Sequence, residues 1–403
     1  MSEALSNMLK ADSMRSMSRK ANDPELARSP EQQVALTELL ALARERRAEF
    51  DAHLSLGNEV MGRLRAAGVC RAMVSREFGG DELPPADFLR LVERIAAADG
   101  STSWIASLAA TSLIVSALPI ATLKQLFQGS ADIFFAGRLS PVPVTRVDKG
   151  LNVSGRWGWA SGCTGADYFI LGVQATNESS SENPARLAIV RSDQGRVETN
   201  WSVDGMRGTG SHDVVLDRVF VPDDWTFVRG AKSSLDTPLF RYPSGIFIPQ
   251  AHAAVGLGIA RAALDEFIGT ASERGATYGR PSLADRATAQ SELAKAEAEL
   301  RSARAWLFAV TEDAFGCLSV GDDLDVTART LLRLAATHAA RTAAEVTQAV
   351  YRISGTVGMF TDSRIARCLR DAIVIPQHVL LSEGTWEQAG HVLLGRALPA
   401  GFV

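Results

Sequence analysis

The chain has 403 residues, of which 46% are apolar and 22% charged, the balance of an ordinary globular protein with roughly two or three domains. Forty-two basic against 46 acidic side chains leave a net charge of −4, which argues against a nucleic-acid partner, and no run nears the ~18 apolar residues of a membrane-spanning helix. Four widely separated cysteines (Cys70, Cys163, Cys317 and Cys368) form no CxxC pair, so neither a disulfide framework nor a zinc site is expected.

Residues 1–29 open with the polar string MSEALSNMLKADSMRSMSRKANDPE, which lacks the apolar stretch of a secretory signal. They are expected to form a disordered or loosely attached arm on a cytoplasmic protein. From Ser29-Pro30-Glu31, a cap residue followed by an N1 proline, a Leu/Ala helical repeat runs to Ala67. Further helical blocks are expected at 85–98, 101–117 and 119–128, giving a helical domain over 30–131.

Between 132 and 232 the period changes from helical to alternating. In LNVSGRWGWASG, Leu151, Val153, Trp157 and Trp159 are expected on one face, with Asn152, Ser154 and Arg156 on the other. YFILGVQ, RLAIVRS and HDVVLDRVFVP are short strand-like runs separated by turn clusters, so this segment reads as a compact all-β unit. Helical blocks return at 247–274, 282–315, 323–354 and 363–394, within a C-terminal helical domain over 233–403.

Several apparent motifs carry no chemistry. Gly256-Leu257-Gly258 lies inside a helical apolar run with no preceding strand, which suits a tight helix crossing rather than a dinucleotide loop. Gly210-Ser211-His212-Asp213 places neighbours on a strand whose side chains alternate, so they cannot converge as a triad. The six histidines (53, 212, 252, 338, 378 and 391) include no HxxxH or HxxEH pair, and a metal site is not expected.

Three strings carry the signal: GRWGWASGCTGADYFILG (155–172), WSVDGMRGTGSHDVVLDRVFVPDDW (201–225) and RIARCLRDAIVIPQHVLLSEGTWEQAGHVLLGR (364–396). With the helical, β, helical order, they resemble the acyl-CoA dehydrogenase superfold, and within it the two-component flavin-dependent monooxygenases of the 4-hydroxyphenylacetate, steroid-phenol and dibenzothiophene type. The resemblance spans about residues 30–396. It implies an α+β fold with an N-terminal helical domain, a middle β-barrel domain and a C-terminal four-helix bundle. It also implies reduced FMN or FAD supplied by a separate reductase, O2 as co-substrate, and hydroxylation of a small, aromatic molecule through a C4a-hydroperoxyflavin. A homotetramer with no membrane or nucleic-acid partner completes the expectation.

The resemblance also assigns residues. Ser161, with Gly162 beside it, occupies the serine that hydrogen-bonds flavin N5, where a hydroxyl acceptor would retain the N5 proton. His378 lies eight residues after Arg370, at the spacing of the active-site histidine, and its imidazole suits proton transfer near working pH. Pro376 and Gln377 before it imply a local break that aims the ring. Trp157 and Trp159 would pack near the isoalloxazine, Trp104 would line the flavin pocket, and Arg207 lies in a loop approaching flavin or substrate. Glu273-Arg274, with Gln290 downstream, resembles the segment through which one subunit reaches a neighbour's flavin, Arg274 meeting a phosphate. Where phenol hydroxylases carry a second histidine beyond the tryptophan, this chain has Thr111-Ser112, so a substrate-binding histidine is expected to be absent.

The main alternative is an acyl-CoA dehydrogenase or oxidase with bound FAD and Glu383, in Glu383-Gly384-Thr385, or another carboxylate as base. That string comes 13 residues after Arg370, longer than the dehydrogenase spacing, and one helical turn moves a side chain about 5.4 Å. A flavin-free helical scaffold is the third reading.

Overall fold

The computed structural model describes residues 28–176, 184–271 and 281–396. Ser29 begins the first helix as its cap residue suggests: its Oγ accepts from the Gln32 amide at 3.3 Å, and Gln32 Oε1 accepts from the Ser29 amide at 3.0 Å. The repeat beyond is not one helix. It divides into α1 (Pro30–Glu45), α2 (Arg47–His53) and α3 (Gly57–Ala66), because Arg46 leaves helical geometry and Leu54 turns left-handed at φ 54°. There follow α4 (Pro85–Ala96), α5 (Gly100–Ser107), α6 (Ser112–Val115) and α7 (Ile120–Phe127), with a 3-10 turn at Leu108–Thr111.

The strands are β1 (Phe135–Val147), β2 (Gly150–Trp157), β3 (Tyr168–Ala175), β4 (Arg186–Arg191), β5 (Arg196–Glu198), β6 (Asp213–Pro222) and β7 (Thr226–Val228). They form one seven-stranded sheet in the order β5-β6-β2-β1-β3-β4-β7. The expected barrel is therefore corrected to an open order: β5 and β7 are the end strands, with no pairing between them among the described residues. Strand β1 joins the two halves, pairing parallel with β3 up to Val144 and antiparallel with β2 from Thr145. Both faces of the sheet centre are buried. Phe169, Leu171 and Val173 face the main core, whereas Ile170, Leu187 and Ile189 face a smaller one under α7.

After a short α8 (Pro238–Arg241) come three long helices, α9 (Ser244–Ala271), α10 (Ala287–Ser319) and α11 (Val326–Ser354). The block expected over 363–394 is broken into α12 (Arg364–Val374), two 3-10 turns at Ile375–Gln377 and Val379–Leu381, and α13 (Gly384–Leu393). Pro376 ends the α-helical ladder, and His378 stands between the turns in extended geometry. Gly256 and Gly258 lie at helix crossings as expected. A β-carbon at 258 would meet the Glu93 carbonyl oxygen of α4 at 2.2 Å, and one at 256 would meet the Ala343 β-carbon of α11 at 3.1 Å. No described helix is long and apolar enough to cross a membrane.

Candidate active site

Trp104 is the common wall of the site. Its helix, α5, is capped by Asp99, whose Oδ1 accepts from the Thr102 amide at 2.7 Å and the Thr102 hydroxyl at 2.8 Å. The indole N–H donates to Ser161 Oγ at 3.1 Å. The indole face stacks on His252 of α9 with centroids 4.1 Å apart, and its edge meets His378 at 5.9 Å. His252 and His378 are themselves 4.9 Å apart, ring edge to ring face. Ser161, Trp104 and His378, more than 50 residues apart in pairs, are thus brought together.

Ser161 follows β2 on a loop stitched to the 206–212 loop by backbone bonds: Ala160 N–H to His212 O at 3.0 Å and Gly162 N–H to Thr209 O at 2.8 Å. Gly162 is left-handed at φ 72°, and a β-carbon there would lie 2.7 Å from the Phe134 ring, so only glycine fits this turn. Ser161 Oγ is 2.7 Å from Ser211 Oγ, which is 2.8 Å from Thr209 Oγ1, which donates to Met206 O at 2.8 Å.

Met206 holds the end of this chain in a left-handed conformation at φ 56°. Its N–H donates to Asp371 Oδ1 at 2.6 Å, and Asp371 is fully enclosed, its carboxyl pushed up to about 6 by burial against the opposing pull of Arg367. Arg367 also binds Asp99 Oδ2 at 3.0 Å and Asp51, so one guanidinium ties α12 to α2 and to the cap of the Trp104 helix. Burial works against its charge, but Asp99, Asp371 and Asp51 outweigh it and hold the guanidinium above its usual range.

Both histidines are neutral near pH 7. Burial pushes His378 down to about 4, and burial, then the neighbouring His378, pushes His252 well below 6.5. His378 Nδ1 accepts from the Leu380 amide at 3.4 Å, and His252 Nδ1 is 3.2 Å from Ser107 Oγ.

The tryptophans of β2 do not share a face. Trp157 is 1% exposed in the main core and donates to Gly172 O at 2.9 Å, whereas Trp159 is 68% exposed, at φ 62°, under the Arg138 guanidinium. The ladder to β6 ends at Trp157, so alternation no longer applies two residues later. Arg207 is committed to backbone, donating to Asp51 O at 3.2 Å and Val203 O at 2.6 Å, which clamps its loop onto α2. Glu383 is 73% exposed and paired with Arg341 at 2.7 Å, so it is not a buried base. Arg274 lies outside the described residues.

Sequence reasoning missed His252, Ser211 and Asp371. A second histidine does stand beside His378, supplied by α9 rather than by the Thr111-Ser112 stretch. The available signal was a pair of polar residues, Gln250 and His252, inside an apolar helical run. Gln250 is internally satisfied, accepting from the Tyr242 hydroxyl at 2.9 Å and donating to Thr311 at 2.8 Å, which leaves His252 as the one turned to the site.

The C-terminal domain is acyl-CoA dehydrogenase-like: the family model described as "Acyl-CoA dehydrogenase, C-terminal domain" matches residues 250–383. The indole-3-acetate monooxygenase of Pseudomonas putida is 43% identical, over 89% of this chain and 92% of that protein. The flavin-dependent monooxygenase oxygenase subunit HsaA of Rhodococcus jostii is 27% identical, over 84% and 91%. The structure of XiaF from Streptomyces in complex with FADH2 and glycerol superposes with a TM-score of 0.85 at 20% identity, over 93% of this chain and 99% of that one.

The chain belongs to the flavin-dependent monooxygenases built on this fold. It is an oxidoreductase, the oxygenase component of a two-component system that takes reduced flavin from a separate reductase. The residues fit that cofactor. Ser161 Oγ uses two of its three hydrogen-bonding positions on Trp104 and Ser211, leaving one for a flavin atom beside the left-handed turn at Gly162.

Proposed function

We propose that this oxygenase hydroxylates an arylacetate carrying an indole-type ring N–H, with indole-3-acetate the first substrate to test. The observation that carries the reading is the opposite polarity of the two facing histidines. Ser107 spends its hydroxyl proton on the Trp104 carbonyl at 2.7 Å, so toward His252 it can only accept. His252 therefore carries its proton on Nδ1 and presents Nε2 as an acceptor. His378 accepts at Nδ1 and, being neutral, carries its proton on Nε2 as a donor. The two imidazoles touch edge to face, so a planar ring lies beside the pair and meets an acceptor next to a donor, and Trp104 supplies an apolar wall. Identity of 43% to a protein named for indole-3-acetate supports the same substrate class.

Reduced FMN or FAD, when bound, supplies the two electrons with which dioxygen gives one oxygen atom to the substrate and one to water. The protein's own tasks are distinct. Ser161 accepts the N–H of flavin N5 and holds that proton in place; His252 and His378 orient the substrate ring; the Arg207 clamp and the Asp371 tie keep the Ser161 support rigid. In the same reading Arg274 reaches a flavin phosphate in a neighbouring subunit of a homotetramer.

The test supplies reduced flavin from a separate reductase with 18O2 and compares indole-3-acetate with its N-methyl analogue. Labelled product from indole-3-acetate is expected, with kcat/KM for the N-methyl analogue lower by at least about tenfold. His252→Leu should remove most of that discrimination. Equal turnover of the two, or release of all the oxygen as peroxide, would overturn the substrate reading.

A further inference from the structure

The hydroxyls behind Ser161 have one direction of donation that keeps the Thr209 hydroxyl on the Met206 carbonyl, and that direction bears on which redox state of the flavin the site accepts. The Met206 carbonyl can only accept, so Thr209 spends its single hydroxyl proton there at 2.8 Å. Thr209 Oγ1 is then an acceptor in its 2.8 Å contact with Ser211, so Ser211 spends its proton on Thr209. Ser211 Oγ in turn is the acceptor in its 2.7 Å contact with Ser161, so the Ser161 proton is directed away from the pocket. At the other side the Trp104 indole N–H can only donate, at 3.1 Å, to Ser161 Oγ. What remains on Ser161 is one lone pair and no proton.

We infer that Ser211 and Thr209 are positioning residues that lock Ser161 as a hydrogen-bond acceptor and thereby make the site prefer reduced over oxidised flavin. The inference rests on the reading that Ser161 meets flavin N5. Reduced flavin brings an N–H to that position, whereas oxidised flavin brings a lone pair. An unconstrained serine hydroxyl would serve both states by rotating. Here, donation toward oxidised N5 requires all three hydroxyls to turn over, and the Met206 carbonyl then loses the Thr209 hydroxyl.

The far end of the chain is held against such a reversal. Met206 is fixed in its left-handed conformation by its 2.6 Å bond to the enclosed Asp371, which keeps its carbonyl where the Thr209 hydroxyl meets it. Ser211 and Thr209 are both buried, so water is not at hand to replace a lost partner. The discrimination amounts to about one hydrogen bond, a five- to tenfold difference in affinity.

The experiment is anaerobic equilibrium binding of oxidised and dithionite-reduced flavin to the full chain, using whichever of FMN and FAD binds more tightly. The ratio of the two dissociation constants is read in the wild type, S211A, T209V and S161A. In S211A the Ser161 proton is released to the pocket, so the preference for reduced flavin should shrink by about five- to tenfold, chiefly through tighter binding of the oxidised form. T209V should shift the ratio in the same direction by unseating the Ser211 proton, and it supplies the reading if S211A does not fold. A merely structural loss would weaken both redox states together and leave the ratio unchanged. An unchanged ratio in S211A and T209V with a changed ratio in S161A overturns the relay while leaving Ser161 at N5. An unchanged ratio in all three variants overturns the relay and the placement of Ser161 at N5 as well.

Discussion

A histidine held at about 4 is stable only while it is not asked to carry a proton. His378 has its folded-state pKa depressed below the ordinary 6.5 by burial, so the unfolded chain binds a proton there in a pH range where the folded chain does not. Between about 6.5 and 4, acidification therefore removes stability, and below 4 the effect is complete. The full linkage is on the order of 2 kcal/mol once partial exposure is allowed for. His252 works in the same direction, and Asp371, raised from 3.8 to about 6, works in the opposite one, because its folded state welcomes the proton. His378→Gln removes the first contribution and, with it, the part of the His252 depression that His378 causes. Denaturant unfolding of H378Q should therefore lose less stability between pH 7 and 4.5 than the wild type, and equal losses would show that His378 is not held neutral by the fold.

At the scale of elements, helix α9 positions the site from one side, and its placement depends on how closely it approaches α4. Gly258 faces the backbone of α4, where a β-carbon would meet the Glu93 carbonyl oxygen at 2.2 Å and the Ala96 β-carbon at 2.5 Å. Neither is the free end of a flexible side chain, so Gly258→Ala must push the helices apart. It should cost about 1–3 kcal/mol of stability, measured as a lower denaturation midpoint, despite alanine's better helix propensity. Gly256→Ala, whose nearest new neighbour is the Ala343 β-carbon at 3.1 Å, should cost less, and the reverse order would contradict the packing. Local features such as this crossing were legible in the sequence, as were the Ser29-Pro30 cap and the break at Pro376, because each is decided by a few adjacent residues. The pairing of Ser161 with Trp104 and His378 followed from resemblance. His252 was not legible, because its membership of the site is decided by the crossing of α9 behind α5 and by no spacing along the chain. Trp159 was misplaced for a related reason: alternation holds only while β2 is paired with β6, and that pairing ends at Trp157.

For the whole molecule, the last third of the chain carries several exposed large apolar side chains. Met359, Phe360, Ile373, Val379, Leu393 and Leu394 are all exposed, Val379 at 76% and Leu394 at 73%. In the proposed homo-oligomer a second copy of this chain would cover some of these residues, since a net charge of only −4 on 403 residues opposes self-association weakly. Burying a leucine side chain at such an interface contributes roughly 1.5–3 kcal/mol, so the pair Leu393 and Leu394 would matter to assembly. Val379 also adjoins His378, which two 3-10 turns flank and the Trp104 and His252 rings contact. Association would hold that short segment between subunits, and with it the imidazole opposite Trp104. The double substitution Leu393→Glu and Leu394→Glu should lower the molar mass measured by light scattering while leaving the helical circular-dichroism signal intact. Monooxygenase activity should fall together with the mass, by more than the loss of flavin binding accounts for, because the histidine loses its support. A wild-type protein that scatters as a monomer at micromolar concentration would refute the assembly, and a dissociated variant with full activity would refute the coupling to His378.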